Sequence, residues 1–338
     1  MRAFKVESPA SCRLAHFSPL RYPGGKGKLA AYIKELMREN RLLDGEYAEP
    51  YAGGAAIAVE LLLQDYASRI HINDLSRAIF AFWYTVLFET ESLCRLIRDT
   101  PMTLEAWDAQ KRIFAAPEAH DQTSLGFATF FLNRTNRSGI LNGGIIGGRE
   151  QTGAWKIDAR FNRRELIYRI ESIARLGRRI SLTRMDALEF LRLGLQKWPE
   201  KTLIYLDPPY FAKGRDLYYD YYKPKDHEEV AKFVTHKLMH QRWVVSYDSA
   251  PEIQSLYQGH KSLLYDIGYS ARLSSRVGRE VMFFSNSLEV CPLVGPFKIV
   301  QGAVTTATNN ASGPECTHRT LSTAFRSGRK ARSNRKSS

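Results

Sequence analysis

The chain has 338 residues, of which 44% are hydrophobic, enough for one large core or for a core with an inserted subdomain. Its formal net charge of +14 suits a polyanionic partner such as nucleic acid. No apolar run reaches the roughly 18–20 residues of a membrane span, and Cys12, Cys94, Cys291 and Cys316 form no CxxC pair, which disfavours a zinc site or a disulfide framework.

In chain order, residues 1–18 form an N-terminal extension without a long apolar segment, so no secretory signal is expected and the protein is expected in the cytoplasm. The stretch RYPGGKGKLAAYIKELM (21–37) predicts a glycine turn and then a helix with Leu29, Ile33, Leu36 and Met37 on its apolar face. Lys26 there is either a carboxylate partner for an amino-acid moiety or a surface lysine, and Tyr22 either stacks on a ligand or packs. GEYAEPYAGGAAIAVELLLQ (45–64) predicts a strand, a turn at Gly53 and Gly54, and a helix. Such a turn lets backbone amides and a helix N-terminus approach a ligand closely. It departs from GxGxxG, and GxxxxGK(S/T) is absent, so a nucleoside without a pyrophosphate is the better ligand.

RIHINDLS (69–76) predicts a second strand ending on Asp74, the position where doubly wound folds hold ribose hydroxyls. Asp74 would equally serve as a helix cap, a role open to Ser76 as well. The segment up to Asp186 is too long for one crossover. It opens with the aromatic helix IFAFWYTVLF (79–88) and later turns glycine-rich and basic, which predicts an inserted, mainly helical subdomain ending in a hairpin or loop. RISLTRMDALEFLRL (179–193) predicts a strand, Asp186 and a helix, and strands follow at TLIYLDPPY (202–210), RWVVSYDSA (242–250) and VMFFSN (281–286). Alternating strands and helices predict an α/β fold with a parallel, doubly wound sheet, its ligand outside the carboxyl ends of the strands. Residues 300–338 are expected to be disordered, with seven basic side chains against Glu315 alone.

DPPY (207–210) carries the most chemistry. Neither Pro208 nor Pro209 can donate to a ladder, so the strand ends at Asp207 in a stiff, extended turn. The Asp207 carboxylate and Pro208 carbonyl form an acceptor pair for the two hydrogens of an exocyclic amine. They favour the tetrahedral nitrogen that develops as it attacks an electrophilic methyl. Tyr210 offers a ring on which a base can stack, and a base in duplex DNA must rotate out to reach it.

Taken together, RYPGGKGK, EPYAGGAA, INDLS and LDPPY resemble, in that order, the Dam-type adenine-specific DNA methyltransferases, over about Leu20 to Asn286. FFLNRTNRSGILNGG (130–144) and GAWKIDARFN (153–162) resemble that family's insert, and RVGREVMFFSN (276–286) its terminal strand hairpin. The resemblance implies a Rossmann-like sheet with the target-recognition insert placed before DPPY. It implies contacts to S-adenosylmethionine from Tyr22, Lys26, Asp74 and Asp207. Glu49, Pro50, Tyr51, Gly53 and Gly54 would line the methionine end, and Asp186 the cofactor's adenine. Arg134, Arg137, Asn142 and Arg149 are the insert's candidate DNA contacts.

The expected organisation is a catalytic domain at 19–76 and 176–299, a DNA-binding insert at 77–175 and a basic tail at 300–338. The expected activity is methyl transfer to the N6 amine of a flipped-out adenine in double-stranded DNA by a monomer without a metal, with a restriction nuclease as a conceivable partner. Alternatives are an RNA base-amine methyltransferase and a non-catalytic DNA-binding regulator, the latter marked by decay at Asp207, Lys26 or the glycines, which is not seen.

Overall fold

Strand β4 (Thr202–Leu206) is buried at every position, as a continuous apolar run should be at the centre of a parallel sheet covered on both faces. The computed structural model describes residues 17–21, 26–211, 222–269, 276–293 and 295–300, so Tyr22 and the basic tail beyond Val300 lie outside the described residues. The described residues all fall within one compact unit. Beside β4 run β1 (Gly45–Glu49) and β5 (Arg242–Asp248), both parallel to it. Beyond β1 come β2 (Ala67–Asn73) and β3 (Ile180–Thr183), also parallel. Past β5 the direction changes, because β7 (Arg276–Phe284) pairs antiparallel with both β5 and β6 (Lys261–Tyr269), and β8 (Phe297–Ile299) closes that edge.

The strand order is therefore β3-β2-β1-β4-β5-β7-β6-β8. The order reverses between β1 and β4, and at such a switch point the crossovers leave in opposite directions and open a crevice at the carboxyl ends. Ala48 of β1 pairs with Ile204 of β4, so Glu49 and Asp207 emerge at the same edge of the sheet. This is the Rossmann-like methyltransferase sheet expected from the sequence.

One face of the sheet is covered by α1 (Ala30–Glu39), α2 (Ala56–Leu63) and the helices of the insert, and the other by α8 (Ala187–Leu195), α9 (Pro224–Lys237) and α10 (Pro251–Leu256). The insert comprises α3 (Arg77–Phe88), α4 (Thr90–Asp99), α5 (Leu104–Ala115), α6 (Gln122–Thr135) and α7 (Arg163–Ala174). Its Phe82, Phe130 and Ile170 share one apolar cluster with Tyr47 and Ile70 of the sheet. The insert is thus mainly helical, and its core is continuous with that of the sheet. Helices α3 and α6 meet at Gly126, where a Cβ would lie 2.2 Å from Thr85 Oγ1 and 2.5 Å from the Ala81 carbonyl. After α6 the glycine-rich stretch forms turns with one antiparallel bridge, Asn136 to Ile145, and no extended hairpin. No helix among the described residues is long and apolar enough to cross a membrane.

Candidate active site

The carboxyl ends of β1, β2 and β4 open into a cavity of about 780 Å³ whose walls include Lys26, Glu49, Pro50, Tyr51, Gly53, Gly54, Asp74, Asp207 and Pro209. Residues far apart in the chain, Lys26 and Tyr222 among them, are thus brought to one place by the strand order. At the turn after β1, Gly53 takes a φ of +47°, a region costly for side-chain-bearing residues. Its N–H donates to Asp74 Oδ2 at 2.8 Å, and its carbonyl accepts from Trp83 Nε1 at 2.9 Å. Asp74 Oδ1 accepts from the Ser76 N–H at 2.9 Å, while Ser76 itself caps α3. The two readings of this acid therefore divide: Ser76 is the cap, and Asp74 braces the glycine turn.

Sequence reasoning passed over Asn73. Its amide donates to the carbonyls of Pro50 and Met185, each at 3.0 Å, and its Oδ1 accepts from Thr183 Oγ1 at 2.8 Å. One buried side chain thereby ties together the ends of β1, β2 and β3.

Around DPPY the electrostatics are tightly arranged. The Asp207 side chain is 23% exposed, with its Oδ1 3.5 Å from Lys26 Nζ and accepting from Ser246 Oγ at 2.8 Å. Burial pushes the Asp207 carboxyl up to about 6, against the opposing pull of Lys26 and with help from Glu280. Burial alone would lower the Lys26 pKa, but Asp207 and Glu280 outweigh it and hold the ammonium well above the usual lysine range. Lys26 is therefore a buried, charged lysine and not a surface one. Tyr210 is buried, with Lys26 Nζ 5.0 Å from its ring centre and its hydroxyl donating to Glu280 Oε1 at 2.7 Å. Glu280 was not singled out from the sequence, although a lone acid inside the apolar run REVMFF was the available signal.

Glu49 faces the cavity from the end of β1. Its Oε1 accepts from Tyr47 Oη at 3.0 Å and from the Ala58 N–H at 3.2 Å. Burial nevertheless pushes its carboxyl up to about 8. Asp186 sits at the start of α8, where Oδ1 accepts from the N–H groups of Leu188 and Glu189, and its neighbours Met185 and Ala187 line the cavity.

Comparison with known families matches residues 22–269 to the D12 class of N6 adenine-specific DNA methyltransferases. The chain belongs to that family. It is therefore an S-adenosylmethionine-dependent DNA adenine methyltransferase. No curated protein sequence matched significantly. Among solved structures, an rRNA methyltransferase, AviRa from Streptomyces viridochromogenes, is 11% identical with a TM-score of 0.36, covering 79% of this chain and 86% of its own. TrmK of M. capricolum, in complex with S-adenosylhomocysteine, is 7% identical with a TM-score of 0.31, covering 75% and 68%. Both are too distant to carry an argument, and the strand order itself establishes the fold.

The four residues expected from the sequence to contact DNA lie in different surroundings. Arg137 is exposed and donates through Nε to the Ile145 carbonyl at 3.3 Å. Asn142 is exposed at the cavity wall. Arg134 is half-buried, and burial together with nearby Arg21 and Arg169 pushes its guanidinium down to about 9. Arg149 is already engaged, donating to both oxygens of Asp108 at 2.9 and 2.8 Å. A further residue missed from the sequence is Asn133. Its Oδ1 accepts from the Arg21 N–H at 2.7 Å, and its amide donates to the carbonyls of Arg21 and Gly139 at 2.9 Å. That latch joins α6 to Arg21.

Proposed function

We propose that this enzyme binds S-adenosylmethionine across the glycine turn and transfers its methyl group to the N6 amine of an adenine rotated out of duplex DNA. The observation that carries the reading is the shared cavity: Asp207 and Gly53–Gly54 line it from adjacent strands at the point where the strand order reverses. The residues present fit the cofactor. Glu49 offers a buried carboxylate to its cationic amino end, Asp74 stands where ribose hydroxyls are held, and Asp186 lies beside the wall assigned to the adenine. Lys26, Pro50 and Gly54 complete the wall. When bound, S-adenosylmethionine supplies an electrophilic methyl carbon on a positively charged sulfur.

The chain's own groups do the rest. An exocyclic amine is a weak nucleophile because its lone pair is delocalised into the ring. The Asp207 carboxylate and the Pro208 carbonyl accept its two hydrogens and favour the tetrahedral nitrogen, whose lone pair forms the new N–C bond as the C–S bond breaks. The nitrogen then sheds one proton, for which ionised Asp207 is the acceptor at hand. Pro208 and Pro209 hold this geometry with little conformational freedom left to lose. Tyr210, expected from the sequence to stack on the base, is instead buried with its hydroxyl on Glu280 and outside the cavity wall, so its part is to anchor the proline turn. Arg134, Arg137 and Asn142 supply the insert's polar groups for DNA. All the groups invoked here come from one chain, and on this reading one chain acts on one rotated base.

The test is to incubate the purified protein with tritiated S-adenosylmethionine and either duplex DNA or RNA, and to separate the nucleosides. Label is expected in the adenine amine of DNA. Label confined to RNA, or found in cytosine, counts against the reading.

A further inference from the structure

Glu280 lies on β7, outside the parallel part of the sheet, and is 1% exposed. Its carboxylate receives donors from three separate segments: the Lys26 ammonium, the Tyr210 hydroxyl at 2.7 Å and the Tyr265 hydroxyl at 2.8 Å. A carboxylate in an apolar strand is unfavourable unless its lone pairs are met and its charge is paired, and here both conditions hold. Two of the three partners belong to the reacting end of the site. Lys26 reaches Asp207, and Tyr210 ends the proline turn. Glu280 itself does not line the cavity, so its influence passes through those partners.

We propose that Glu280 is a positioning residue for methyl transfer, holding Lys26 off Asp207 and clamping the Tyr210 ring, so that the terminal hairpin aligns the amine acceptors. This rests on the reading of Asp207 as the group that receives the amine. The ammonium of Lys26 stands between two carboxylates, closer to Glu280 than to Asp207. Without the Glu280 charge, Asp207 becomes the only anion drawing the ammonium. Nζ then moves toward Asp207 Oδ1 and competes with the substrate amine for it. The same change frees the Tyr210 hydroxyl from its carboxylate acceptor, and with it the end of the proline turn that carries Asp207.

The arrangement also has a pH signature. Asp207 is faced by Glu49 and Tyr47 of β1, Tyr205 of β4, and Ser246 and Tyr247 of β5, besides Lys26 and Glu280. Tyr265 of β6 and Asp248 at the end of β5 stand behind them, the latter accepting from the Phe211 N–H at 3.0 Å. Of these charges only the Glu280 one is removed by Glu280→Gln. A like charge that disfavours the Asp207 carboxylate is lost, so the carboxyl gives up its proton at lower pH.

The experiment uses the full chain with duplex DNA and S-adenosylmethionine, comparing wild type, Glu280→Gln and Tyr265→Phe. Single-turnover rates, cofactor affinity by calorimetry and pH–rate profiles are measured. Glu280→Gln is expected to lose about 10²-fold in kcat, as misplacement of reacting groups does. Because Lys26 also lines the cofactor's wall, cofactor affinity should fall too, but by no more than about tenfold and far less than kcat, the sign of an interaction felt mainly in the transition state. The acid limb of the profile should move to lower pH. Tyr265→Phe, which removes one donor and keeps the charge, should lose several-fold in kcat with the limb in place. An unchanged kcat in either variant, or a Glu280→Gln protein that loses rate and cofactor affinity in equal measure with an unmoved acid limb, overturns the proposal. Failure of the underlying Asp207 reading would show separately, as undiminished turnover by Asp207→Ala.

Discussion

Gly53 donates its backbone N–H to Asp74 Oδ2 at 2.8 Å, which makes the turn after β1 and the acid after β2 a single unit. The same carboxylate accepts from the Ser76 N–H, so Asp74→Ala removes two charge-assisted hydrogen bonds, each worth roughly 1.5–3 kcal/mol. The S-adenosylmethionine dissociation constant should rise at least about tenfold, a change of 1.4 kcal/mol. DNA affinity measured without cofactor should stay the same. Equilibrium titration checks both, and a variant with wild-type cofactor affinity would remove Asp74 from the site.

The Glu49 carboxyl, pushed up to about 8 by burial, holds a proton at pH 7 in the ligand-free enzyme. A cationic ligand beside it favours the carboxylate, so binding should release a proton at pH 7, and affinity should rise as pH climbs toward 8. Calorimetry in buffers of different ionisation enthalpy reads the proton count directly. Glu49→Gln should abolish the release. Binding without proton release contradicts the assignment of Glu49 to the amino end.

Asp207 shows the cost of burying a carboxylate. Its pKa is raised from 3.8 to about 6 in the fold, so the folded state binds the proton more tightly than the unfolded chain does. The stabilisation associated with that proton is complete below the unfolded value, and it is lost as pH rises through the folded one. Asp207→Asn should therefore melt at a higher temperature than ligand-free wild type at pH 8, with the gap closing toward pH 4. Thermal denaturation across that window decides the point; a wild type that melts as high as the variant at pH 8 refutes it.

On the insert, the engagement of Arg149 with Asp108 separates it from Arg137. Arg137→Ala should weaken binding about equally for all DNA sequences and lower the slope of log affinity against log salt by about 1. Arg149→Ala should leave the slope alone, because its guanidinium forks onto a carboxylate. Filter binding between low and moderate salt tests the pair, and equal slopes for the two variants would contradict the division.

What was legible in the sequence lay where local chemistry is forced. Two glycines after a strand, two prolines after another, and an acid at the end of a third mark turns whose geometry hardly depends on the rest of the chain, and Gly53, Asp74 and Asp207 do converge on one cavity. The aromatic run at 79–88 was likewise readable as a helix, and it forms most of α3. The missed residues work across long sequence separations. Glu280 meets Lys26 across 254 positions, and Asn133 meets Arg21 across 112, so nothing near either one announces its partner. Asn73 was hidden by the more conspicuous acid beside it. Strand β6, with Asp266 and Gly268 breaking its apolar pattern, draws its order from pairing along β7 and not from its own composition.

The central claim is tested most directly by the single-turnover rate of methyl transfer in Asp207→Ala, with cofactor and duplex DNA both saturating. Loss of one acceptor preorganised for the transition state should slow the step by roughly 10²–10³, with the protein folded and still binding DNA. A rate close to that of wild type would mean that the amine is held by something other than Asp207.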